Sequence, residues 1–198
     1  MKKSSILLSV LLLVSSYVFS QSETVYPDGL KVGDTAPEFT AKDQEAKTVN
    51  LKEALRNGPV VILFYRGQWC PFCNKQLSYF SDSLSMLTNK GATILAITPE
   101  TVENVKKTIE KTKATFPVIA DVGLAIMKSY KVNFAVDEKT VTKYKGYGIE
   151  FDKANGSNGA SLPVPATYII GIDGKIKYVF FNTDYRKRAS VKDILDNL

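Results

Sequence analysis

The 198-residue chain contains no histidine and only two cysteines. Without imidazole, the usual Ser-His and Cys-His catalytic arrangements and every zinc site that needs a His ligand are excluded. Two thiols fall short of a four-cysteine zinc centre or an iron–sulfur cluster, so no metal and no organic cofactor is expected. Charge is nearly balanced, with 26 Lys and Arg against 20 Asp and Glu, a formal net charge of +6. The lysines are scattered, without a basic stripe interleaved with aromatics, so nucleic acid is not an expected partner. What remains is sulfur chemistry. Both thiols fall within Trp69-Cys70-Pro71-Phe72-Cys73.

The amino terminus reads as a secretory leader. Lys2 and Lys3 precede an apolar run from Ile6 to Val14, and Ser20 offers a cleavage point before Gln21. Ser9, Ser15 and Ser16 interrupt the run, which makes a membrane span, normally about 20 apolar residues, the minor alternative. The leader has no cysteine to lipidate. Residues 1–20 are expected to be removed and 21–198 to form one domain, exported to the periplasm or outside the cell and not membrane-spanning. Disulfides persist there.

Along the mature chain, residues 21–50 read as an extended, turn-rich segment, and Leu51–Leu55 as a short helix. The run Val60–Tyr65, entered by Pro59, is the best central strand, apolar on both faces. Phe72, Leu77, Phe80, Leu84 and Leu87 then recur at helical spacing up to about Asn89, and Gly91 ends that element. Ala92–Ile97 reads as a second buried strand, Val102–Ile109 as a helix, Phe116–Ala120 as a short strand and Leu124–Tyr130 as a short helix. Residues 137–163 are polar and turn-rich, an insertion with short elements at most. Asp173-Gly174 between Ala166–Ile172 and Lys175–Phe180 signals a hairpin, and Val191, Ile194 and Leu198 suit a closing helix. Helices alternating with apolar strands need a layer on each sheet face, so the fold class is α/β, a three-layer α/β/α sandwich.

The strand ending near Tyr65, the link Arg66–Trp69 and a helix starting at Pro71 put Cys70 at a helix N-terminus. Free backbone donors and the positive dipole end favour a thiolate there. Cys73, one turn on, resolves a mixed disulfide formed at Cys70. Pro71 suits the first helical turn, where its missing N–H is no loss. The alternatives are a passive staple, which would close too short a loop to constrain the unfolded chain much, and half of a metal site, for which no further ligands are evident. Trp69 is read as an aromatic shielding the thiols or simply packing beside them. Arg66 either favours the thiolate, binds an anionic group or stands in solvent. Pro163 and Pro165 flank Val164 as a rigid strand start; the sharper reading is a cis bond at Pro165 that presents Val164 backbone to a substrate.

The segment Phe64-Tyr65-Arg66-Gly67-Gln68-Trp69-Cys70-Pro71-Phe72-Cys73 resembles the thioredoxin-like proteins of the alkyl hydroperoxide reductase and thiol-specific antioxidant family. Gly33–Phe39, Ile97–Glu100, Phe116–Asp121 and Leu162–Ile170 carry further matches over much of the mature chain. The resemblance implies a thioredoxin-like fold with an insertion before the late hairpin, and a cis Pro165 facing the thiols. The chain also departs from the family. Gly67 stands where a typical peroxiredoxin has Thr three residues before its reactive Cys, and Pro165 falls where its peroxide-binding Arg is found. Phe64 occupies the place of thioredoxin's buried acid, so proton transfer to Cys73 needs water or an acid from another segment.

The leading expectation is an exported thiol-disulfide oxidoreductase acting on protein or small-molecule disulfides and restored by an unidentified thiol reductant. The alternatives are a thiol peroxidase acting on hydrogen peroxide or alkyl hydroperoxides, and a noncatalytic binding module in which residues 137–163 make the contact.

Overall fold

The computed structural model describes residues 24–198, so the expected leader lies outside the described residues. The opening segment contains a small antiparallel hairpin, β1 (Thr40–Lys42) and β2 (Thr48–Asn50), that runs directly into helix α1 (Leu51–Ala54). Two local acceptors set these turns. The Asp43 carboxylate accepts from the N–H groups of Glu45 and Lys47, each at 2.9 Å, and the Asn50 side chain caps α1 by accepting from Glu53 N.

The long apolar run becomes β3 (Val60–Phe64), followed by α2 (Pro71–Asp82) and α3 (Leu84–Asn89). The apolar stripe read as one helix is thus two, because Ser83 leaves helical geometry at φ −102°, ψ 9° while Leu84 and Leu87 keep their spacing. Serine's side chain competes for nearby backbone groups, which makes it a natural break. Next come β4 (Thr93–Thr98), α4 (Val102–Thr112), β5 (Val118–Ala120) and α5 (Ala125–Ser129). The remaining elements are β6 (Asn133–Ala135), α6 (Glu138–Gly146), α7 (Phe151–Asn155), β7 (Ser161–Pro163), β8 (Ala166–Ile170), β9 (Ile176–Phe181) and α8 (Val191–Asn197).

The central sheet has the order β5-β4-β3-β8-β9, with β3, β4 and β5 parallel to one another, β8 antiparallel to β3 and β9 antiparallel to β8. Strand period two divides β3 between two cores. Val60, Ile62 and Phe64 pack toward Leu51, Ile126 and Met127, while Val61, Leu63 and Tyr65 pack toward Cys70, Cys73, Leu77, Val105 and Ile194. Helices α1 and α5 therefore cover one face, and α2, α4 and α8 the other. This is the expected three-layer α/β/α sandwich, and the thiols belong to the second core.

The insertion is more ordered than its composition suggests. Asp137 caps α6 by accepting from Thr140 N at 2.8 Å, although no residue of α6 is itself buried. Strands β6 and β7 pair antiparallel, and Phe151, Leu162 and Val136 form a third small core against which Trp69 and Tyr144 pack. Trp69 thereby ties the insertion to the cysteine loop. Among the described residues, no helix is long and apolar enough to cross a membrane.

Candidate active site

The chain leaves β3 with Tyr65 N donating to Ile97 O at 3.0 Å, and turns through Arg66–Trp69 at the carboxyl end of the parallel strands, where α/β sheets commonly carry their sites. Cys70 N donates to Gly67 O at 3.0 Å, which closes the turn. Cys70 is the N-cap of α2, with extended backbone at φ −92°, ψ 108°, and its sulfur accepts from Cys73 N at 3.3 Å. Pro71 occupies the first turn of α2, where its missing N–H is no loss, and the Cys73 N–H is the one that faces the sulfur. Both cysteines are free thiols and both lie beneath the surface, at 1% and 0% exposure.

The two sulfurs titrate as a coupled pair. The hydrogen bond with Cys73, burial and the Cys73 charge all push Cys70 far above the ordinary thiol range, against a weaker downward pull from Arg66. Burial opposes ionisation of Cys73 as well. There the hydrogen bond from the Cys70 thiol, the charge of Arg188 and the Arg66 N–H outweigh it, and the thiol falls to about 6. Arg188 Nη2 stands 3.4 Å from Cys73 Sγ. The sequence reading rested on the helix start at Cys70; the structure adds a cation from the segment before α8 that, with the Cys70 hydrogen bond, favours ionisation of the pair.

Arg66 is turned inward, at 3% exposure. Its guanidinium carbon lies 4.2 Å from the ring centre of Tyr185, 4.9 Å from Trp69 and 5.3 Å from Tyr144, a cation held among aromatic faces. Nη2 donates to Tyr144 Oη. Trp69 in turn packs edge-on against Tyr144 and Phe151, so it braces the loop.

The cis bond expected at Pro165 is absent: among the described residues every peptide bond is trans. Nor is Val164 N–H presented to a ligand, since it donates to Val132 O at 2.8 Å. Trans is the lower-energy state of an X–Pro bond by about 0.5–1 kcal/mol, and the chain takes it here. Val164 and Pro165 nonetheless share a cavity wall with Arg66.

Glu100 is the group that reading the sequence left unassigned. It follows β4, beside the cysteine loop, and is fully buried. Oε1 accepts from Gln68 N at 2.9 Å and Oε2 from Thr108 Oγ1 at 3.4 Å. Burial, with a further contribution from the Cys73 charge, raises its carboxyl to about 8. Its signal was an acid closing the apolar strand Ala92–Ile97, at the sheet edge that also carries the thiols. Phe64, by contrast, points into the opposite core against Tyr130 and Tyr168. Glu100 also accounts for Gly67. A Cβ there would lie 2.7 Å from Glu100 Oε1 and 2.6 Å from Trp69 Nε1, at a φ of +155°. Among the described residues no three His, Cys, Asp or Glu side chains cluster as metal ligands.

A Cys-x-x-Cys pair at the start of a helix on a mixed-sheet sandwich defines a thioredoxin-like thiol oxidoreductase. Residues 32–179 match the model of the AhpC/TSA family, and the chain belongs to that family. It is 30% identical over 159 residues to a thiol-disulfide oxidoreductase, ResA, of Bacillus thuringiensis subsp. konkukian (strain 97-27), covering 74% of this chain and 91% of the relative. It is 35% identical over 100 residues to the chloroplastic peroxiredoxin Q of Sedum lineare, covering 50% of this chain and 53% of that one. In fold it is similar to the peroxidoxin BcpB of Mycobacterium tuberculosis, with a TM-score of 0.64 at 23% identity over 85% of this chain and 96% of the other.

Proposed function

We propose that this oxidoreductase exchanges disulfides outside the cytosol, with Cys70 as nucleophile and Cys73 as resolver. The observation that carries the reading is Cys70 at the N-cap of α2 with Cys73 N–H on its sulfur, which makes the first sulfur the natural site of a mixed disulfide. The singly ionised pair shares one proton across its hydrogen bond, and attack begins when that proton rests on Cys73. The Cys70 thiolate then displaces one half of the substrate disulfide as a thiolate. Cys73, deprotonated again, attacks the Cys70 sulfur and releases the other half, leaving Cys70–Cys73 oxidised by two electrons. The proton leaving Cys73 passes to the ionised fraction of Glu100, whose carboxyl titrates at about 8, so this step quickens as pH rises toward that value. An external dithiol restores the pair. Because both sulfurs are covered, covering side chains must move before a substrate reaches Cys70. The leader-like residues 1–20 support export.

The test is turnover of a disulfide with a dithiol donor. Cys70→Ser should abolish it and Cys73→Ser should trap a mixed disulfide at Cys70, whereas wild-type turnover by Cys70→Ser would overturn the assignment. The peroxiredoxin relative supports a second reading, in which peroxide oxidises Cys70 to a sulfenic acid and Cys73 condenses with it, releasing water. Gly67 and Pro165, where peroxiredoxins use Thr and Arg, rank it below exchange.

A further inference from the structure

Beside the cysteine loop lies a cavity of about 390 Å³ bounded by Arg66, by Val164 and Pro165, by Lys143 and Tyr144 of α6, and by Tyr185. Its size is that of a small-molecule site. Two cations line it and no acid does; of the acids flanking its lining residues, Asp137 is engaged by Thr24 Oγ1 and Thr140 N, and Asp184 by Arg186. Arg66 is 97% hidden, yet among the described residues no carboxylate pairs with it and its Nε has no hydrogen-bond partner. A buried charge without a counter-ion is costly, and aromatic faces compensate only part of that cost. A guanidinium with no carboxylate partner, in an acid-free, aromatic-walled cavity, is a receptor for a planar anion.

We propose that this cavity holds the carboxylate of the substrate, which makes the preferred substrate a small disulfide bearing an organic acid arm. The inference rests on the exchange reading. Arg66 receives the carboxylate, Lys143 supplies the second charge at the mouth, and the phenol rings of Tyr144 and Tyr185 flank the arm. Arg66 belongs to the same loop as Cys70, so an acid seated on it holds the substrate beside the loop that ends at the start of α2. The exchange step keeps its balance: the Cys70 sulfur bonds to one substrate sulfur, the other leaves as thiolate, and Cys73 completes the two-electron reduction.

Three disulfides of similar size test this: dithiodipropionate (anionic), hydroxyethyl disulfide (neutral) and cystamine (cationic). The expected kcat/KM order is anionic above neutral above cationic, with the extremes about tenfold or more apart, through KM. Lys143→Gln should compress that ratio, Arg66→Gln should remove it and Arg66→Lys should restore part of it. Lys90→Gln, an exposed control for overall charge, should leave the ratio unchanged. Calorimetry of dithiodipropionate against the Cys70→Ser/Cys73→Ser protein should show binding that Arg66→Gln abolishes. Reduction of all three disulfides at equal rates, or binding indifferent to Arg66, would overturn the acid site while leaving exchange intact. Arg66-dependent binding with no disulfide ever reduced would do the reverse.

Discussion

Replacing Glu100 by Gln changes one charge in a site that excludes water, and its consequences can be worked from the structure. In the native state burial holds the carboxyl at about 8 against an ordinary 4.5, so between those values the folded chain binds a proton that the unfolded chain has lost. Native stability attributable to this group therefore falls as pH rises across that window, at up to about 1.4 kcal/mol per pH unit and up to about 5 kcal/mol in total. Cys73, drawn down to about 6 from an ordinary 9, acts with the opposite sign: its contribution is present above 9 and is lost as pH falls to about 6. The two overlap, so the difference between wild type and Glu100→Gln is the quantity to measure. Gln keeps an acceptor for Gln68 N and carries no charge. Denaturant melts of the reduced proteins from pH 4.5 to 8.5 should start close together and diverge steadily, with the variant the more stable at the alkaline end. The same variant should reduce disulfides more slowly, since the proton acceptor for Cys73 is gone. Parallel stability profiles would refute a carboxyl titrating near neutrality, and undiminished turnover would refute its role in proton transfer.

Arg188→Gln removes the cation 3.4 Å from Cys73 Sγ, and the pair's first ionisation should rise by about one pH unit or more, seen as slower alkylation near neutral pH. Gly67→Ala should destabilise the fold by about 1–3 kcal/mol, because its methyl meets Glu100 Oε1 at 2.7 Å and Trp69 Nε1 at 2.6 Å; a neutral substitution in denaturant melts would contradict the packing of this loop. Trp69→Ala should loosen the insertion from the cysteine loop, and proteolysis should then nick residues 137–160 faster than in wild type.

The sheet was legible because its strands are apolar at period two or on both faces, and Val60–Phe64 and Ala166–Ile170 carry little else. The thiol site was legible as a local pattern, since Cys70, Pro71 and Cys73 are set by one helix start. What lay hidden comes from distant chain. Arg188 reaches Cys73 across 115 residues, and no spacing rule points to it. Helix α6 was obscured because its apolar face is only the partly buried pair Val141 and Tyr144, too little for a periodic stripe, although Asp137 was available as its cap. Glu100 could have been found, because it lies two residues past the end of β4, the strand that neighbours the thiol-bearing strand. At Pro165 the sharper reading ran against the ordinary trans preference of X–Pro bonds, and the Val164 N–H is taken by Val132 O, a partner that local sequence does not reveal.

The most direct measurement uses the single tryptophan, Trp69, next to Cys70. Reduced protein is mixed in stopped flow with a small disulfide or with hydrogen peroxide, its fluorescence is followed, and the product is identified by mass. Exchange at Cys70 predicts faster oxidation by the disulfide, through a Cys70 adduct that collapses to a Cys70–Cys73 bond. Faster oxidation by peroxide, or a first adduct at Cys73, would contradict it.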